Sequence, residues 1–351
     1  LFTERAYTIL TETGRLGYVI PSGIYSDLGT KELREMLLNE GRIEYLYNFS
    51  NERFFFPEVH HSFKFTLLGA QKGAQSDGFW ATFRFNPRVA VRPDELAEFL
   101  STHSNLVFIK RDSIGKFSPD SLSVMEFQSQ IEVDLAEKMY GEHGTLGETR
   151  DEVWNMQFGS EFHMTSAREL FQEIHTGIPL YEGKSLHQFT LELSPPRYWL
   201  SKSVLKNQYY RIAVRAIART TDIRTLISAI IPPSSGAGNS LLTTKDTLSP
   251  QELMYCLSIL NSYALDFVIR QKIATNINMF FLYQLPVPRL QAGNKFFDAI
   301  VPRAAALTCT TPAFADLWEA VMPTPWQMED RPQTTDHKQP SSVVGRPSSV
   351  L

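Results

Sequence analysis

Aromatic residues, a proline and two histidines lie side by side in the segment RFFFPEVHHSFKF, residues 53–65. These side chains admit three kinds of site: a metal site, an aromatic plug of the core, or a pocket wall for a flat ligand. A bound metal usually has three or more protein ligands at recognisable spacing, and neighbouring residues of a strand point to opposite faces. We therefore predict no metal site, and we assign His60 and His61 to a turn and the start of a strand.

A cluster of basic residues occupies positions 197–224 of a chain whose formal net charge is −4. Asp222 is the one acidic residue among them, and tyrosine and tryptophan are interleaved. Cations beside planar groups suit phosphate contact and base stacking, and the alternative is a solvated basic face. The residues that we predict to contact nucleic acid here are Lys202, Arg211, Arg215, Arg219 and Arg224.

Polar side chains that could read base edges occur in two further segments. Lys184, His187 and Gln188 lie in KSLHQF, and Asn276 and Asn278 lie in ATNINMFF. Such groups can hydrogen-bond to bases or phosphates, although Asn and Gln in loops also form turns. The segment PPSSGAGNSLL, residues 232–242, is glycine-rich but lacks the Gly-Lys-Ser/Thr ending of a phosphate-binding loop, so it predicts a flexible loop.

The elements that must position these groups follow from apolar periodicity. We expect helices over residues 2–12 and 30–40, a buried strand at RLGYVIP, a strand at IEYLYNF and a strand in SFKFTLLGAQKG. Smaller strands are expected at GFWATFRF and NLVFIKR, around a helix at DELAEFL. This order predicts the closing edge of an α/β sheet. The acidic residues between 126 and 153 suggest a helical connector, and one amphipathic helix is expected near residues 250–272.

Composition narrows the class of protein. The 351 residues suffice for two domains, and no apolar run reaches the roughly 18 residues of a membrane span. The N-terminal segment has no signal-peptide pattern. Two cysteines are too few for a disulfide framework and suit a reducing compartment, so we expect a cytoplasmic protein.

Several segments in a fixed order resemble adenine-specific DNA methyltransferases, especially the type IIG restriction–modification group and the methyltransferases of phage-exclusion systems. In the first half these are the segment from LFTERAYTIL to LREML and the segment FFFPEVHHSFKFTLLGAQKG. In the second half they are PLYEGKSLHQF, YWLSK, YRIAVRAIARTTDIRTLISAIIPP and ILNSYALDFVIRQKIATNINMFFLYQLPVP.

This resemblance implies the C-terminal part of a Rossmann-like class I methyltransferase sheet, followed by an α+β target-recognition domain. The implied reaction transfers methyl from S-adenosylmethionine to the exocyclic amine of an adenine flipped out of double-stranded DNA. An aromatic residue before a proline covers one face of that adenine in the family, and Phe56 and Pro57 stand at the matching position. The implied domains are the catalytic part (1–110), an acidic helical connector (111–160), the recognition domain (161–322) and a disordered tail (323–351).

The chain also departs from the family pattern. It contains neither an Asn/Asp-Pro-Pro-Tyr/Phe sequence nor the glycine-rich cofactor loop. In the family both precede a segment like LFTERAYTIL, so we expect a C-terminal portion that is inactive alone, with most of the cofactor site, and any restriction endonuclease, upstream. The alternative is a DNA-binding specificity module without chemistry.

Overall fold

The computed structural model describes residues 2–51, 55–61, 63–73, 75–85, 95–149, 153–173, 175–191, 195–204, 208–273 and 276–322. These residues form a mixed α/β structure with several sheets. The predicted disordered tail lies outside the described residues. So do Arg53 and Phe54, the first part of the aromatic segment.

The first part of the chain alternates short helices with the strands of one sheet. Its elements are α1 (Phe2–Ile9), β1 (Arg15–Pro21), α2 (Gly23–Ser26), α3 (Lys31–Asn39), β2 (Gly41–Ser50), β3 (Lys64–Lys72), β4 (Gly78–Phe85), α4 (Leu96–Ser101) and β5 (Val107–Lys110). Each strand and helix predicted from apolar periodicity in this part is therefore present, with ends that differ by a few residues.

The strand order in this sheet is β1-β3-β2-β4-β5. Strand β3 runs antiparallel to both β1 and β2, β2 is parallel to β4, and β5 closes the sheet antiparallel to β4. Because β3 lies between β1 and β2 with the opposite direction, β1 and β2 run parallel to each other. Loop 51–63, which contains the aromatic segment, leads from β2 into β3.

Strand β1 was predicted to be buried, and this part of the prediction is wrong. Its residues are exposed or half-exposed, including Tyr18 and Val19, and the nearby Phe2 and Ile9 of α1 are also exposed. The reason is its position at the edge of the sheet, where no described strand pairs with its outer side. An apolar run shows that a strand forms, but whether a layer covers it depends on tertiary structure.

The middle of the chain contains α5 (Arg111–Phe117) and α6 (Gln130–Glu142). Ser129 begins α6 as an N-cap, because its side chain accepts a hydrogen bond from the Glu132 backbone. The helix buries Val133, Ala136 and Tyr140 on one side. The acidic connector therefore contains a packed helix.

The second half contains short strands and the larger helices. Its elements are β6 (Phe158–Gly159), β7 (Ile178–Tyr181), β8 (Leu186–His187), β9 (Thr190–Leu191), β10 (Tyr198–Leu200), β11 (Arg211–Arg215), β12 (Ser228–Ile231), β13 (Gly236–Ala237), β14 (Leu241–Thr244), α7 (Pro250–Leu260), α8 (Tyr263–Arg270), α9 (Met279–Tyr283), α10 (Lys295–Thr308) and α11 (Ala315–Val321). An antiparallel sheet has the order β12-β11-β14-β6, and a smaller sheet has the order β10-β7-β13. Helix α7 packs on β11 and β12, and α10 packs on α7.

The predicted helix near 250–272 is two helices. The helix is interrupted at Asn261. The Asn261 side chain donates to the Ser228 carbonyl at 2.9 Å and accepts from the Ser228 amide at 3.1 Å. Ser262 then caps α8 by accepting from the Leu265 amide. The hydrogen bonds of Asn261 therefore join the two helices to β12.

The glycine-rich segment 232–242 is not an open loop, contrary to the prediction. Residues Gly236–Ala237 form β13, which pairs in parallel with β7 and is buried. A Cβ at Gly236 would lie 2.6 Å from Leu200 Cδ1 and 3.2 Å from Leu180 Cδ1. Glycine is therefore needed for close packing of the small sheet, and not for chain flexibility.

Among the described helices, none is by itself long and apolar enough to cross a membrane. The consecutive pair α7 and α8, bent by 55°, passes the same test of length and composition.

Candidate base-stacking loop and nucleic-acid interface

The loop between β2 and β3 is organised by Asn51, a buried side chain at the end of β2. The Asn51 Nδ2 atom donates to the carbonyl oxygens of Phe56 (3.0 Å) and Val59 (2.7 Å), and Asn51 Oδ1 accepts from the Phe56 amide at 3.1 Å. The amide of Val59 donates to the Phe56 carbonyl at 3.0 Å. Both backbone polar groups of Phe56 are therefore held by the fold.

Phe56 is nevertheless 41% exposed, and Phe55 is 42% exposed. Both rings meet Phe65, at the start of β3, edge to face, with centroid distances of 5.1 Å for Phe56 and 5.7 Å for Phe55. Phe65 in turn stacks on the buried Phe49 at 5.4 Å. Phe55 is therefore a surface ring beside Phe56, and not part of the buried core. The site is an aromatic surface on a rigid base, which could stack on a planar ligand.

His60 and His61 lie in the same loop with their ring centroids 4.2 Å apart. Both residues are exposed. Within the described ranges of the chain, no three His, Cys, Asp or Glu side chains converge as a metal site.

A buried acidic contact lies next to this loop. Lys64, the first residue of β3, pairs with Glu126 at 2.7 Å, and the Tyr25 hydroxyl donates to the same carboxylate at 2.8 Å. Glu126 therefore joins α2, β3 and the segment before α6. This arrangement fixes the end of the loop nearest to Phe65.

Arg211 does not belong to a nucleic-acid surface, which corrects the prediction. Its side chain has 0% exposure and pairs with Glu161 at 2.8 Å. The guanidinium also donates to the carbonyl oxygens of Tyr209 at 3.0 Å and Ser235 at 2.7 Å. All of these partners are protein groups in the interior, so Arg211 joins β11 to the segments on either side of the small sheet.

Arg224 is likewise mostly buried, and its predicted phosphate contact is also corrected. It lies 3.5 Å from Asp266 and donates to the Asn261 carbonyl at 2.6 Å. Its guanidinium lies over the Tyr263 ring, 4.2 Å from the centroid. Arg224 therefore fastens the chain before β12 to the junction between α7 and α8.

Arg215 is half-buried and donates to the Leu186 carbonyl. Burial lowers the pKa of the Arg215 guanidinium, and the nearby Asp222 carboxylate opposes this shift. Arg215 therefore helps to position the β8–β9 hairpin, and its contact with phosphate stays a prediction.

The remaining predicted residues are at the surface or partly exposed. Lys184 and His187 are exposed at the β8–β9 hairpin, with Lys184 3.3 Å from Glu182, while the half-buried Gln188 donates to the Asn261 carbonyl at 3.4 Å. Lys202 and Arg219 are both exposed.

The two predicted asparagines differ in their local role. Asn276 is exposed and forms an antiparallel bridge with Ile217, just beyond β11. Asn278 is the N-cap of α9, because its side chain accepts from the Phe281 amide at 3.2 Å. The Asn278 side-chain carbonyl is therefore already used for capping.

Three segments that are far apart in sequence meet at one place. Arg215 donates to Leu186 in the hairpin, and the Ile277 amide donates to the Ala216 carbonyl at 2.7 Å. Arg219 follows a few residues later on the same connection. The structure thus brings the hairpin, the end of β11 and the Asn276 segment together, whereas Lys202 follows β10 in another sheet.

Sequence reasoning missed two features of this region. Arg168 and Arg197 lie over the Tyr198 ring at 4.8 and 4.9 Å from its centroid, and both guanidinium groups are largely exposed. Arg168 lies before the basic cluster in sequence, and no sequence pattern indicated that it lies over the Tyr198 ring. Asn51 was also missed, although an Asn directly after a strand is a common turn signal.

Lys272 is a half-buried lysine that is not among the predicted site residues. Lys272 donates to the Phe117 carbonyl, to Ser118 Oγ at 3.1 Å and to Gln284 Oε1 at 3.0 Å. Burial lowers the pKa of the Lys272 ammonium to about 7, and Asp120 opposes this shift. Lys272 therefore joins the ends of α5 and α8 to α9.

The N-terminal part of this chain is similar in sequence to a known protein family. Residues 1–55 match the family described as Eco57I restriction-modification methylase. This confirms the resemblance to restriction–modification methylases that the sequence indicated. No curated protein matches the chain.

The solved structures that resemble this chain at low overall similarity include restriction enzymes. The type IIG restriction endonuclease BpuSI has a TM-score of 0.35 and 11% identity, over 91% of this chain and 48% of that chain. The type IIL restriction-modification enzyme MmeI in complex with DNA has a TM-score of 0.48 and 11% identity, over 91% and 48%. The DrdV–DNA complex has a TM-score of 0.38 and 9% identity, over 87% and 38%. The chain spans about half the length of the first two, or less than half for DrdV.

Proposed function

We propose that the chain is the C-terminal part of a site-specific adenine DNA methyltransferase of a restriction–modification or phage-defence system. The methyl donor is S-adenosylmethionine, and the partner is double-stranded DNA. The family match over residues 1–55 supports the methylase class, and it ends beside Phe56. Fusion to a restriction endonuclease and a cytoplasmic location belong to the same proposal.

The observation that carries the proposal is the exposed Phe56 ring, whose backbone Asn51 holds on both sides. The exocyclic amine of adenine is buried in the base stack, so a methyltransferase must extract the base and hold it flat. An aromatic ring that is exposed in the absence of ligand, and whose backbone is held in place, is suited to stacking on the extracted base. Pro57 restricts the backbone directly after it.

The sheet supports the proposal that further polypeptide completes a Rossmann-like domain. The parallel strands β1 and β2 with the antiparallel β3 between them form one side of a mixed sheet. The exposed apolar side chains of β1 project from the faces of the sheet, where helices of that polypeptide would cover them, and the unpaired edge of β1 would accept a neighbouring strand. We assign most of the S-adenosylmethionine site and the Asn/Asp-Pro-Pro-Tyr/Phe loop to that further polypeptide.

We assign target recognition to residues 161–322, with the domain limits predicted from the sequence. The exposed residues that we retain as DNA contacts are Lys184, His187, Lys202, Arg219 and Asn276. Gln188 and Asn278 are retained as secondary candidates, because each already makes a hydrogen bond within the protein. Exposed cations supply affinity through phosphates, and amides or imidazoles at the same edge supply base contacts.

The experiment compares two proteins: this chain alone, and this chain joined to the polypeptide encoded directly ahead of it. Duplex DNA binding is measured by fluorescence anisotropy, and methyl transfer by tritium incorporation from labelled S-adenosylmethionine. We expect both proteins to bind DNA and only the longer one to methylate it. Turnover by this chain alone would refute the division of the active site, and binding without methylation by the longer protein would favour a specificity module.

A further inference from the structure

The connection between β11 and β12 displays an isoleucine in solvent. Ile223 is 95% exposed, and Ile217 at the end of β11 is 62% exposed. We call residues 219–226 the β11–β12 loop. A single exposed aliphatic side chain is common on a protein surface, but on a loop whose backbone is fixed it can serve as a contact. Whether Ile223 can act as a contact residue therefore depends on how firmly the loop backbone is held.

That backbone is fastened by two charged side chains of α8. The buried Asp266 accepts at Oδ1 from the amides of Thr225 at 2.7 Å and Leu226 at 2.8 Å. Arg270 donates to the carbonyl oxygens of Thr220 at 2.8 Å and Ile223 at 2.7 Å. Arg270 also pairs with Asp266 Oδ2 at 2.8 Å, so one ion pair holds both arms of the loop.

Further hydrogen bonds close the loop on itself. The Thr225 hydroxyl donates to the Arg219 carbonyl at 2.9 Å, and the Arg219 amide donates to Asp222 Oδ2 at 3.0 Å. Arg224 is fixed to the Asn261 carbonyl. A loop held at this many backbone groups presents Ile223 with little conformational entropy left to lose on binding.

The surroundings of Ile223 indicate which partner fits. Arg219 is exposed in the same loop, and among the described residues no carboxylate lies within 4.0 Å of its guanidinium. Asn276 bridges to Ile217 at the base of the loop. The exposed Asp222, whose carboxylate accepts from the Arg219 amide, adds one negative charge to the same loop. The cation, the amide and the aliphatic side chain match the phosphates, base edges and stacked bases of duplex DNA.

A protein partner fits this tip less well. A stable protein interface buries about 800 Å² on each partner, which needs a broad surface. The β11–β12 loop projects one aliphatic side chain, and the nearby Ile217 and Tyr263 are also exposed. An apolar wedge that enters one base step needs only a single side chain of the isoleucine type.

We propose that the β11–β12 loop is a rigid wedge that places Ile223 against a base step of duplex DNA, with Arg219 on the adjoining phosphate. Asp266 and Arg270 are positioning residues that act through the loop backbone. This inference rests on the proposed function, since it adds a contact to the DNA-recognition surface. It assigns that contact to an apolar residue, which the basic cluster alone does not indicate.

The test measures binding of the full chain to a 40-base-pair mixed-sequence duplex by anisotropy at several salt concentrations. We expect Ile223→Ser to weaken binding by about 10- to 100-fold with an unchanged salt slope. Arg219→Ala should reduce the slope by about one. The matched control is Ile131→Ser on α6, because Ile131 is 78% exposed and far from the basic cluster in sequence. It should change neither quantity.

Duplexes with 2-aminopurine at each adenine in turn report base unstacking directly. The parent chain should raise the fluorescence at one or more positions, and Ile223→Ser should abolish that rise. Arg270→Lys keeps a cation beside Asp266 but cannot reach both carbonyl oxygens. We expect it to lower the 2-aminopurine signal while leaving the salt slope unchanged, which a general loss of folding would not do.

Each alternative outcome has a distinct meaning. If the parent chain binds no duplex, the proposed function fails. If the parent binds and Ile223→Ser binds equally well with the same fluorescence, the wedge is refuted and the proposed function stands. If Ile223→Ser changes only the oligomeric state in size-exclusion chromatography, the loop is a protein contact and the wedge is refuted.

Discussion

Replacing Arg211 tests whether this arginine stabilises the fold or contacts DNA. In the interior, Glu161 accepts from Arg211 Nε at 2.8 Å, from Thr243 Oγ1 at 3.1 Å and from the Ala237 amide at 3.0 Å. Arg211→Ala leaves this carboxylate buried without its cation. Removing one partner of a buried ion pair costs about 3–5 kcal/mol of folding free energy.

The loss should be visible in thermal unfolding. At about 2–4 °C per kcal/mol for a domain of this size, the melting temperature should fall by roughly 6–20 °C. The double variant Arg211→Met with Glu161→Gln should recover more than half of that loss. In this variant no unpaired charge is left inside, and the carbonyl oxygen of the introduced glutamine can still accept from the Ala237 amide.

The matched control is Arg219→Ala. Arg219 is exposed, so this change should alter stability by no more than about 0.5 kcal/mol. It should nevertheless reduce the salt dependence of DNA binding, measured in the same buffer. If Arg211→Ala instead kept the parental melting temperature and reduced the salt slope, our assignment of Arg211 to the interior would be refuted.

Three further predictions test other parts of the structure. Asn51→Ala should release the Phe56 backbone and cost about 1–3 kcal/mol, measured by urea unfolding, because the carbonyl oxygens of Phe56 and Val59 lose a donor and the Phe56 amide loses its acceptor; an unchanged midpoint would contradict this. Gly236→Ala should cost about 1–3 kcal/mol, since its Cβ would overlap Leu200, and equal stability would show that the small sheet can relax. Lys272 has a pKa of about 7 in the folded protein, below its unfolded value of 10.5, so the unfolded chain binds more protons between these values and stability should rise with pH there. In Lys272→Met the urea midpoint should lack that part of the rise with pH. Identical pH profiles for the variant and the parent protein would contradict the assignment.

The strands of the first sheet were predictable because their apolar runs are continuous and their turn residues are local. The exposure of β1 was not predictable in the same way, since it depends on which strands flank it. The break between α7 and α8 carried a local signal in Asn261 and Ser262, both of which favour caps.

The basic cluster shows where sequence reasoning stops. Arg211 and Arg219 have the same charge and lie in the same segment, yet one is buried and the other exposed. The difference comes from Glu161, which is distant in sequence and pairs with Arg211 at 2.8 Å. Arg224 is explained in the same way by Asp266. Local composition predicts a cationic region but not which cations have partners.

The position of Phe56 was predicted from the resemblance, and its exposure agrees with a surface for a planar ligand. Neither the resemblance nor the composition indicated the support that Asn51 gives to its backbone. The meeting of the β8–β9 hairpin and the Asn276 segment at the end of β11 was also beyond the sequence, because it arises from Arg215 and the Ile277 amide.

The most direct test of the central claim is methylation by the longer protein carrying Phe56→Ala, with Phe55→Ala as the matched control. The two rings have nearly equal exposure and both touch Phe65, but only Phe56 is fixed by Asn51 and followed by Pro57. Stacking of one base is worth about 1–3 kcal/mol, which corresponds to roughly 5- to 150-fold in rate.

We predict that Phe56→Ala lowers N6-methyladenine formation, measured by mass spectrometry of digested DNA, by a factor in this range. Its DNA affinity should change by less than about threefold, and Phe56→Trp should retain most of the activity because it keeps an aromatic face. Phe55→Ala should have a much smaller effect. Equal losses for Phe55→Ala and Phe56→Ala, or full activity without Phe56, would contradict the assignment of Phe56 as the residue that stacks on the flipped adenine.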